Sequence, residues 1–268
     1  MQDYILEYDQ FLRSLEVSHN DTFSLFLGAG ASINSGIPSA TECIWEWKRS
    51  IYLTKGPANL SDNLDKKSEQ VKTHIQNWLD SEGVYPKRDD ASEYSFYVKH
   101  CYPIADDVRK YFQRICEKKT PSVGYMLTCL VHEAGLIQTI WTTNFDDLVR
   151  NAAITTGNTI IDVSLDSVER IFRANNRKEI SLIKLHGDYK YGELKNSEEE
   201  LSQQDPIFRT KLLEFVNDKH LIVSGYSGRD GSVMEALMEG YGQRGSGRLY
   251  WCGYGRNVPS NVKDLLDF

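Results

Sequence analysis

The chain has 268 residues, 40% of them hydrophobic and 26% charged, which is ordinary for a globular protein with a sizeable buried core. Its net charge of −7 argues against broad electrostatic attraction to nucleic acid or anionic membranes, and no apolar run approaches the roughly 18 residues of a membrane span. The start, MQDYILEYDQFLRSLEV, is amphipathic and acidic, unlike a signal or transit peptide, so we expect a cytoplasmic protein.

The apolar pattern alternates between helices and short strands. Residues 3–17 carry apolar side chains at helical spacing, and a second helix is predicted over 40–53. From about 64 to 134 the pattern is mostly helical, with polar breaks near 81–92 and 118–122. Six strands are predicted at 23–27, 136–143, 158–164, 180–187, 219–227 and 247–255.

Further helices are predicted at 145–153, 206–217 and 232–241, between the later strands. Short apolar strands alternating with helices indicate an α/β fold, a Rossmann-like open parallel sheet with helices on both faces. The helical stretch of about 40–134 is too large for a simple crossover, which predicts an inserted helical layer or subdomain. We expect residues 1–268 to form a single domain. The pattern stops soon after a last helix begins beyond Pro259, so we expect this to be the N-terminal part of a longer protein.

The five cysteines form no C-x-x-C pair, which makes a structural zinc ribbon improbable and favours scattered reduced thiols. They are Cys43, Cys101, Cys116, Cys129 and Cys252.

Four of the predicted strands end in residues suited to binding or chemistry. The segments are 28–32 (GAGAS), 142–146 (TTNFD), 186–188 (HGD) and 225–230 (GYSGRD). Ligands bind beyond the carboxyl ends of the strands of an open parallel sheet, so we expect all four segments to converge on one edge.

The glycine-rich segment departs from the usual dinucleotide fingerprint. Gly28 and Gly30 would let backbone amides approach a pyrophosphate, but Ile33 stands where G-x-G-x-x-G needs its third glycine. No acidic residue ends a second strand about 20 positions on, where a ribose-binding carboxylate is expected. A purely structural turn is the alternative.

Each polar group also has a structural alternative when taken alone. Asn144 or Asp146 would serve as the N-cap of the following helix, and His186 as a structural hydrogen-bonding group. Arg229 and Asp230 would be a solvated charge and a cap. The functional interpretation depends on the pieces occurring together, in order, at strand ends.

This ordered set resembles the sirtuin-like (silent information regulator) family of NAD-consuming proteins over roughly residues 23–255. GAGAS followed by SGIPS resembles the family's phosphate and nicotinamide loop. TTNFD is similar to its T-Q-N-x-D motif, with Thr143 in place of glutamine. KLHGD carries the histidine that the family uses in catalysis, and GYS is similar to its G-T-S turn.

Two departures from the motifs of the deacylases restrict which branch of the family this sequence resembles. The four-cysteine zinc module of the deacylases is missing, and Ser39-Ala40-Thr41 replaces their Asp-Phe-Arg after SGIP. The pattern is therefore similar to the zinc-less branch associated with bacterial anti-phage defence, in which the domain hydrolyses NAD to nicotinamide and ADP-ribose. The resemblance implies an NAD glycohydrolase, an abortive-infection effector that depletes NAD. A zinc-less deacylase or ADP-ribosyltransferase, or a non-catalytic NAD or ADP-ribose sensing module, remains open.

The resemblance also implies a site, with NAD as substrate and no metal. His186, Asn144 and Asp146 would be catalytic: a general base, a group ordering the ribose or water, and a partner for the carboxamide. The expected NAD-binding residues are Gly28, Ala29, Gly30, Ala31, Ser32, Gly36, Ile37, Pro38, Thr143, Gly225, Tyr226 and Ser227, with Arg229 and Asp230 added from their position alone. We further expect self-association, a sensor domain or a partner protein, without direct nucleic-acid binding by this domain and without membrane contact.

Overall fold

The computed structural model describes residues 5–18, 23–57, 65, 67–173, 176, 178–190, 194, 205–242, 245–253 and 258–267. Six parallel strands form one sheet with the order β3-β4-β2-β1-β5-β6. The strands are β1 Phe23–Leu27, β2 Ile137–Thr142, β3 Thr159–Val163, β4 Glu179–Lys184, β5 His220–Ser224 and β6 Leu249–Cys252. The predicted Rossmann-like α/β fold with a parallel sheet is therefore confirmed.

Ten α-helices and two short 3₁₀ helices lie within the described residues. The α-helices are α1 Tyr8–Val17, α2 Ala40–Lys55, α3 Glu69–Glu82, α4 Glu93–Cys101, α5 Ala105–Cys116, α6 Val123–Glu133, α7 Leu148–Thr156, α8 Pro206–Asp218, α9 Gly231–Gly242 and α10 Ser260–Asp267. The 3₁₀ helices are Ala29–Ser35 and Val168–Phe172. In this part of the chain, no helix combines the length and apolar character needed to cross a membrane.

The helical layer between β1 and β2, α2 to α6, has the polar breaks predicted near 81–92 and 118–122. A further break, between α4 and α5, was not predicted. Pro103 causes it, since a proline disfavours helical geometry at the preceding residue, and Tyr102 has ψ 76°. That the chain forms a single domain and belongs to a longer protein stays a prediction.

Side chains of β1 divide between the two faces of the sheet. Phe23, Leu25 and Leu27 pack into a core shared with the helical layer and α7. Phe26 points to the opposite core, shared with α8, α9 and α10. This alternation is what a strand covered by helices on both faces requires.

Among the strands that end earlier than their patterns predicted, β4 and β5 determine where two of the candidate site loops begin. β4 ends at Lys184 and β5 at Ser224, so His186 and Gly225 lie in loops beyond the sheet. After β1, residues 29–35 form a 3₁₀ helix rather than an open turn.

Candidate active site

A cavity of about 2180 Å³ opens at the carboxyl ends of four adjacent strands, β4, β2, β1 and β5. All the predicted site residues line it except Gly28 and Gly36. The strand order changes direction at β1, because β2, β4 and β3 lie on one side of it and β5 and β6 on the other. This is the crevice at which open α/β sheets bind ligands.

Gly28 and Gly30 let the loop after β1 pack closely on the loop after β5. A Cβ at Gly28 would lie 2.5 Å from the Tyr226 Cα, and one at Gly30 would lie 2.9 Å from the Gly225 Cα. Gly225 has φ +67°, and its Cβ would lie 2.2 Å from the Ala31 nitrogen. These glycines therefore bring two site loops together.

Backbone amides of the first loop are used within the protein. The Gly28 N–H donates to the Ser224 carbonyl at 3.0 Å and the Gly30 N–H to the Gly225 carbonyl at 2.8 Å. The Ala31 N–H donates to the Gly28 carbonyl at 3.0 Å. The close packing of the two loops thus engages these three amides within the protein, and the approach of backbone amides to a pyrophosphate at Gly28 and Gly30 stays a prediction. Phosphate binding by this loop as a whole stays a prediction.

Ser32 joins three site elements through one hydroxyl. Its Oγ donates to Asp146 Oδ2 at 2.7 Å, and Asn144 Nδ2 donates to that same Oγ at 3.2 Å. Because the single serine proton is committed to the carboxylate, the Tyr125 hydroxyl, 2.9 Å away, must donate to Ser32. The other Asp146 oxygen accepts the Leu148 N–H at 3.0 Å. Asp146 therefore accepts the first N–H of α7 and also takes part in the cluster, but the N-cap of α7 is Asp147 rather than Asn144 or Asp146.

Burial is the main influence on the pKa of Asp146. Desolvation raises the pKa of this carboxyl, opposed by the hydrogen bonds from Ser32 and Leu148 and by the Lys184 cation. Asn144 is also buried, and its Nδ2 donates to the Gly28 carbonyl at 3.0 Å. Its carbonyl oxygen is consequently the atom that Asn144 can offer a ligand.

His186 pairs with Asp230, and both residues line the cavity. The His186 Nε2 contacts Asp230 Oδ2, while Asp230 Oδ1 accepts from Ser232 Oγ at 2.8 Å and from the Val233 N–H at 3.2 Å. Although burial raises it, the pKa of Asp230 is held below its ordinary value by His186 and these donors at the start of α9. The pair thus couples the Asp230 carboxylate to one ring nitrogen of His186 within the cavity lining.

The SGIP segment, residues 35–38, contributes Ile37 and Pro38 to the lining of the cavity. Gly36 ends the 3₁₀ helix with φ +79°, and Ile37 is buried beside it. The Ser122 N–H donates to Ser35 Oγ at 2.9 Å, which ties this segment to the helical layer. Ser39 then caps α2.

The remaining predicted residues lie around the cavity rim. Thr143 is half-buried, whereas Ser227 and Arg229 are exposed. The Tyr226 ring packs on Phe26 at 4.9 Å between ring centroids, so its phenol serves packing as well as lining the cavity.

Several cavity residues were missed by the sequence analysis. Tyr125, Phe112 and Cys116 reach the site region from the helical layer, and no motif marks them. Burial raises the pKa of the Cys116 thiol and that of Cys43, the latter to about 11. Burial also raises the pKa of Cys252, the third thiol that lines the cavity, so all three thiols stay protonated and are poor nucleophiles.

Lys184 was also missed, although it carries a visible signal. It is a charged residue at the end of an apolar strand, with Asp188 four positions later. Its side chain is 1% exposed and pairs with Asp147 and Asp188, and these three residues do not line the cavity.

In the described part of the chain, no three His, Cys, Asp or Glu side chains are grouped so as to hold a metal ion. That the site works without a metal stays a prediction.

Comparisons with known proteins give one family and a set of similar structures. Residues 138–266 match the model of the SIR2-like domain, which confirms the sirtuin-like resemblance over that part of the chain. Curated protein sequences gave no match.

Similar solved structures include a sirtuin solved to explain the structural basis of sirtuin substrate affinity. It has 14% identity, a TM-score of 0.47 and coverage of 98% of this chain and 99% of that one. A Sir2 complex with a p53 peptide and NAD⁺ has 12% identity, TM-score 0.48 and coverage of 98% and 97%. A mutant Sir2 homologue bound to ADP-ribose has 14% identity, TM-score 0.45 and coverage of 89% and 83%.

Proposed function

We propose that this chain, whose residues 138–266 form a SIR2-like domain, is an NAD-utilising enzyme that hydrolyses NAD⁺ to nicotinamide and ADP-ribose. One observation carries the proposal. The Ser32–Asn144–Asp146 cluster and the His186–Asp230 pair, from four different strand-end loops, line one cavity.

The reaction needs a twisted nicotinamide riboside and a positioned water. The C1′–N bond breaks with its electron pair leaving on neutral nicotinamide, and the water oxygen bonds to C1′ of the oxocarbenium-like ribose. The protein's task is to orient these groups and to accept the proton that the water loses.

His186 is suited to accept that proton. Asp230 contacts Nε2, which places the ring proton on that nitrogen and leaves the Nδ1 lone pair as the base. The Asp230 carboxylate, kept ionised, then stabilises the imidazolium that forms.

Asn144 and Asp146 are suited to the nicotinamide end. The Asn144 carbonyl oxygen can accept a hydrogen bond from a ribose hydroxyl or from the water, since its nitrogen is committed elsewhere. Asp146 is fixed at both oxygens by protein donors, yet each carboxylate oxygen keeps capacity to accept from the carboxamide NH₂. We assign the phosphates to Ser227 and Arg229, a proposal supported by their exposure and by their position in the cavity lining.

The finer biological role rests on the motif resemblance alone. We assign the enzyme to anti-phage defence as an effector that depletes cellular NAD, controlled by self-association or by a sensor domain or partner. Cells expressing the full-length protein should lose NAD upon infection, and cells carrying His186→Ala should keep it.

The biochemical test is nicotinamide release from NAD⁺ by the purified protein, with and without an acetylated peptide. Release that does not depend on the peptide supports hydrolysis. Release that requires the peptide would favour a deacylase, and release with transfer of ADP-ribose to protein would favour a transferase. NAD or ADP-ribose binding without any turnover, even with the partner present, contradicts the proposal and favours a sensing module.

A further inference from the structure

A buried lysine joins the two loops that carry the proposed catalytic groups. Lys184, the last residue of β4, has a side chain that is 1% exposed. Its Nζ lies 3.3 Å from Asp147 Oδ1 and also donates to Asp188 Oδ2. One cation therefore bridges two carboxylates from different loops.

Each carboxylate lies within two residues of a catalytic candidate. Asp147 directly follows Asp146 in the loop after β2, and Asp188 comes two residues after His186 in the loop after β4. Asp146 and His186 line the cavity, whereas Lys184 and its two partners do not. The lysine can thus influence the chemistry only through the residues above it.

The cluster is completed by groups from the loop after β4. Asp147 Oδ2 accepts from the Tyr189 hydroxyl at 3.2 Å and pairs with Lys190, and Asp188 Oδ1 accepts the Lys190 N–H at 2.8 Å. Two lysines therefore balance two aspartates. Since Asp147 has a second cation, loss of Lys184 would leave only Asp188 without one.

We propose that Lys184 is a positioning residue that holds the Asn144–Asp146 loop against the His186 loop through its bonds to Asp147 and Asp188. The inference rests on the proposed hydrolysis and adds a residue that acts on the chemical step without touching substrate. We call Lys184 with Asp147 and Asp188 the Lys184 clamp.

The clamp makes a kinetic prediction that a merely structural role would not. The reacting bond must sit between Asn144 and Asp146 on one loop and His186 on the other, and a shift of about 1 Å between such groups costs about 100-fold in rate. The loops after β1 and β5, which we assign to the rest of NAD, are not bridged by Lys184. Lys184→Met should therefore lower kcat by about 100-fold and leave KM for NAD within about threefold of the wild-type value.

Lys48→Met is the matched control. Lys48 is equally buried and ion-paired, to Glu93 in the helical layer, and neither residue lines the cavity. Below the unfolding transitions of both variants, Lys48→Met should keep wild-type kcat. Equal kcat values for the two variants would overturn the proposal, because loss of any buried lysine would then have the same effect.

A second variant separates positioning from charge balance. Adding Asp188→Asn to Lys184→Met removes the carboxylate that was left without a cation, while Asp147 keeps Lys190. The double variant should recover thermal stability but not kcat. Recovery of kcat together with stability would show that only charge balance mattered and would contradict the clamp.

Hydrogen exchange distinguishes failure of this inference from failure of the proposed function. Amides of residues 143–148 and 186–190 should exchange faster in Lys184→Met than in Lys48→Met, whatever reaction the enzyme catalyses. Unchanged exchange in both segments would refute the clamp even if wild-type protein cleaves NAD. If Lys184→Met exchanges faster but the wild-type protein releases no nicotinamide, the clamp is kept and the hydrolase is rejected.

Discussion

Two buried lysines show how differently the helical layer and the carboxyl edge of the sheet use the same interaction. Lys48 in α2 pairs with Glu93 and donates to Gln76 Oε1 at 2.7 Å, with the Trp45 ring centroid 4.5 Å from its Nζ. All its partners belong to the helical layer. Lys184 instead bridges loops that follow two different strands.

The comparison teaches that burial of a charge does not by itself mark a functional site. Desolvation lowers the pKa of Lys48, and the Glu93 carboxylate opposes that effect, as in any buried pair. What distinguishes Lys184 is that its two partners lie in loops after different strands, the same loops that carry Asp146 and His186, whereas Lys48 and Glu93 both lie in the helical layer. Substitutions in the helical layer should therefore change stability, and those at the sheet edge should change kinetics.

The largest expected effect is on turnover, from His186→Ala. Loss of the general base should lower kcat for nicotinamide release by about 1,000-fold, which corresponds to about 4 kcal/mol. The control is His132→Ala in α6, because His132 is also buried and bonds the Ile137 carbonyl at 2.7 Å but does not line the cavity. A His186→Ala enzyme with wild-type kcat would remove the histidine from the mechanism.

The next effect is on stability, from Lys48→Met. An unpaired Glu93 left in the core should lower the free energy of unfolding by about 3 kcal/mol, measured by urea denaturation. Adding Glu93→Gln should restore most of that loss, since no buried charge then remains. If the double variant were as unstable as the single one, packing of the lysine stem rather than charge would explain the cost.

A smaller effect on the free energy of unfolding is expected from alanine substitutions at two glycines with positive φ, Gly83 and Gly225. Gly83 has φ +70° at the end of α3 with nothing within 4 Å of an added Cβ, so Gly83→Ala should cost about 1 kcal/mol of strain. Gly225→Ala adds a steric clash with Ala31 and should cost about 2–3 kcal/mol.

The kinetics of the two glycine variants should differ as well. Because Gly225 joins two site loops, Gly225→Ala should also raise KM for NAD, whereas Gly83→Ala should not. Equal KM values in the two variants would mean that the contact between the loops after β1 and β5 is irrelevant to NAD binding.

The smallest expected effect is a pH dependence of stability. The pKa of Asp230 is lower in the folded protein, so its contribution is present above the unfolded value of about 3.9 and is lost as pH falls through the folded value. The stability difference between wild type and Asp230→Asn should therefore shrink between about pH 5 and pH 3, as followed by urea midpoints.

Asp106→Asn is the control for that measurement. Asp106 pairs with Arg109 and Lys110 on the exposed face of the helical layer, where solvent screens the pairs, so its replacement should change the midpoints little at any pH. A pH-independent gap between wild type and Asp230→Asn would show that the His186 contact does not depend on the carboxylate charge.

Much of the fold could be predicted because its signals are local. β1 was placed at its observed bounds from five apolar residues followed by glycine, and β2 to β6 were placed to within a few residues. The ends of the strands were predicted less closely, because a hydrophobic pattern does not say where strand pairing stops. In β4 the apolar side chains continue to Leu185, but the last residue that pairs with β2 is Lys184.

The sequence by itself determined which loops are candidates for the chemistry. Residues such as Asn144 and His186 follow apolar strands, and carboxyl ends of parallel strands must meet at one edge. Only the tertiary structure decided that β4, β2, β1 and β5 are neighbours, that Tyr125 reaches Ser32, and that Lys184 joins two loops. Those contacts join residues far apart in sequence, and periodicity along the chain reports which side of an element is buried but not which element covers it.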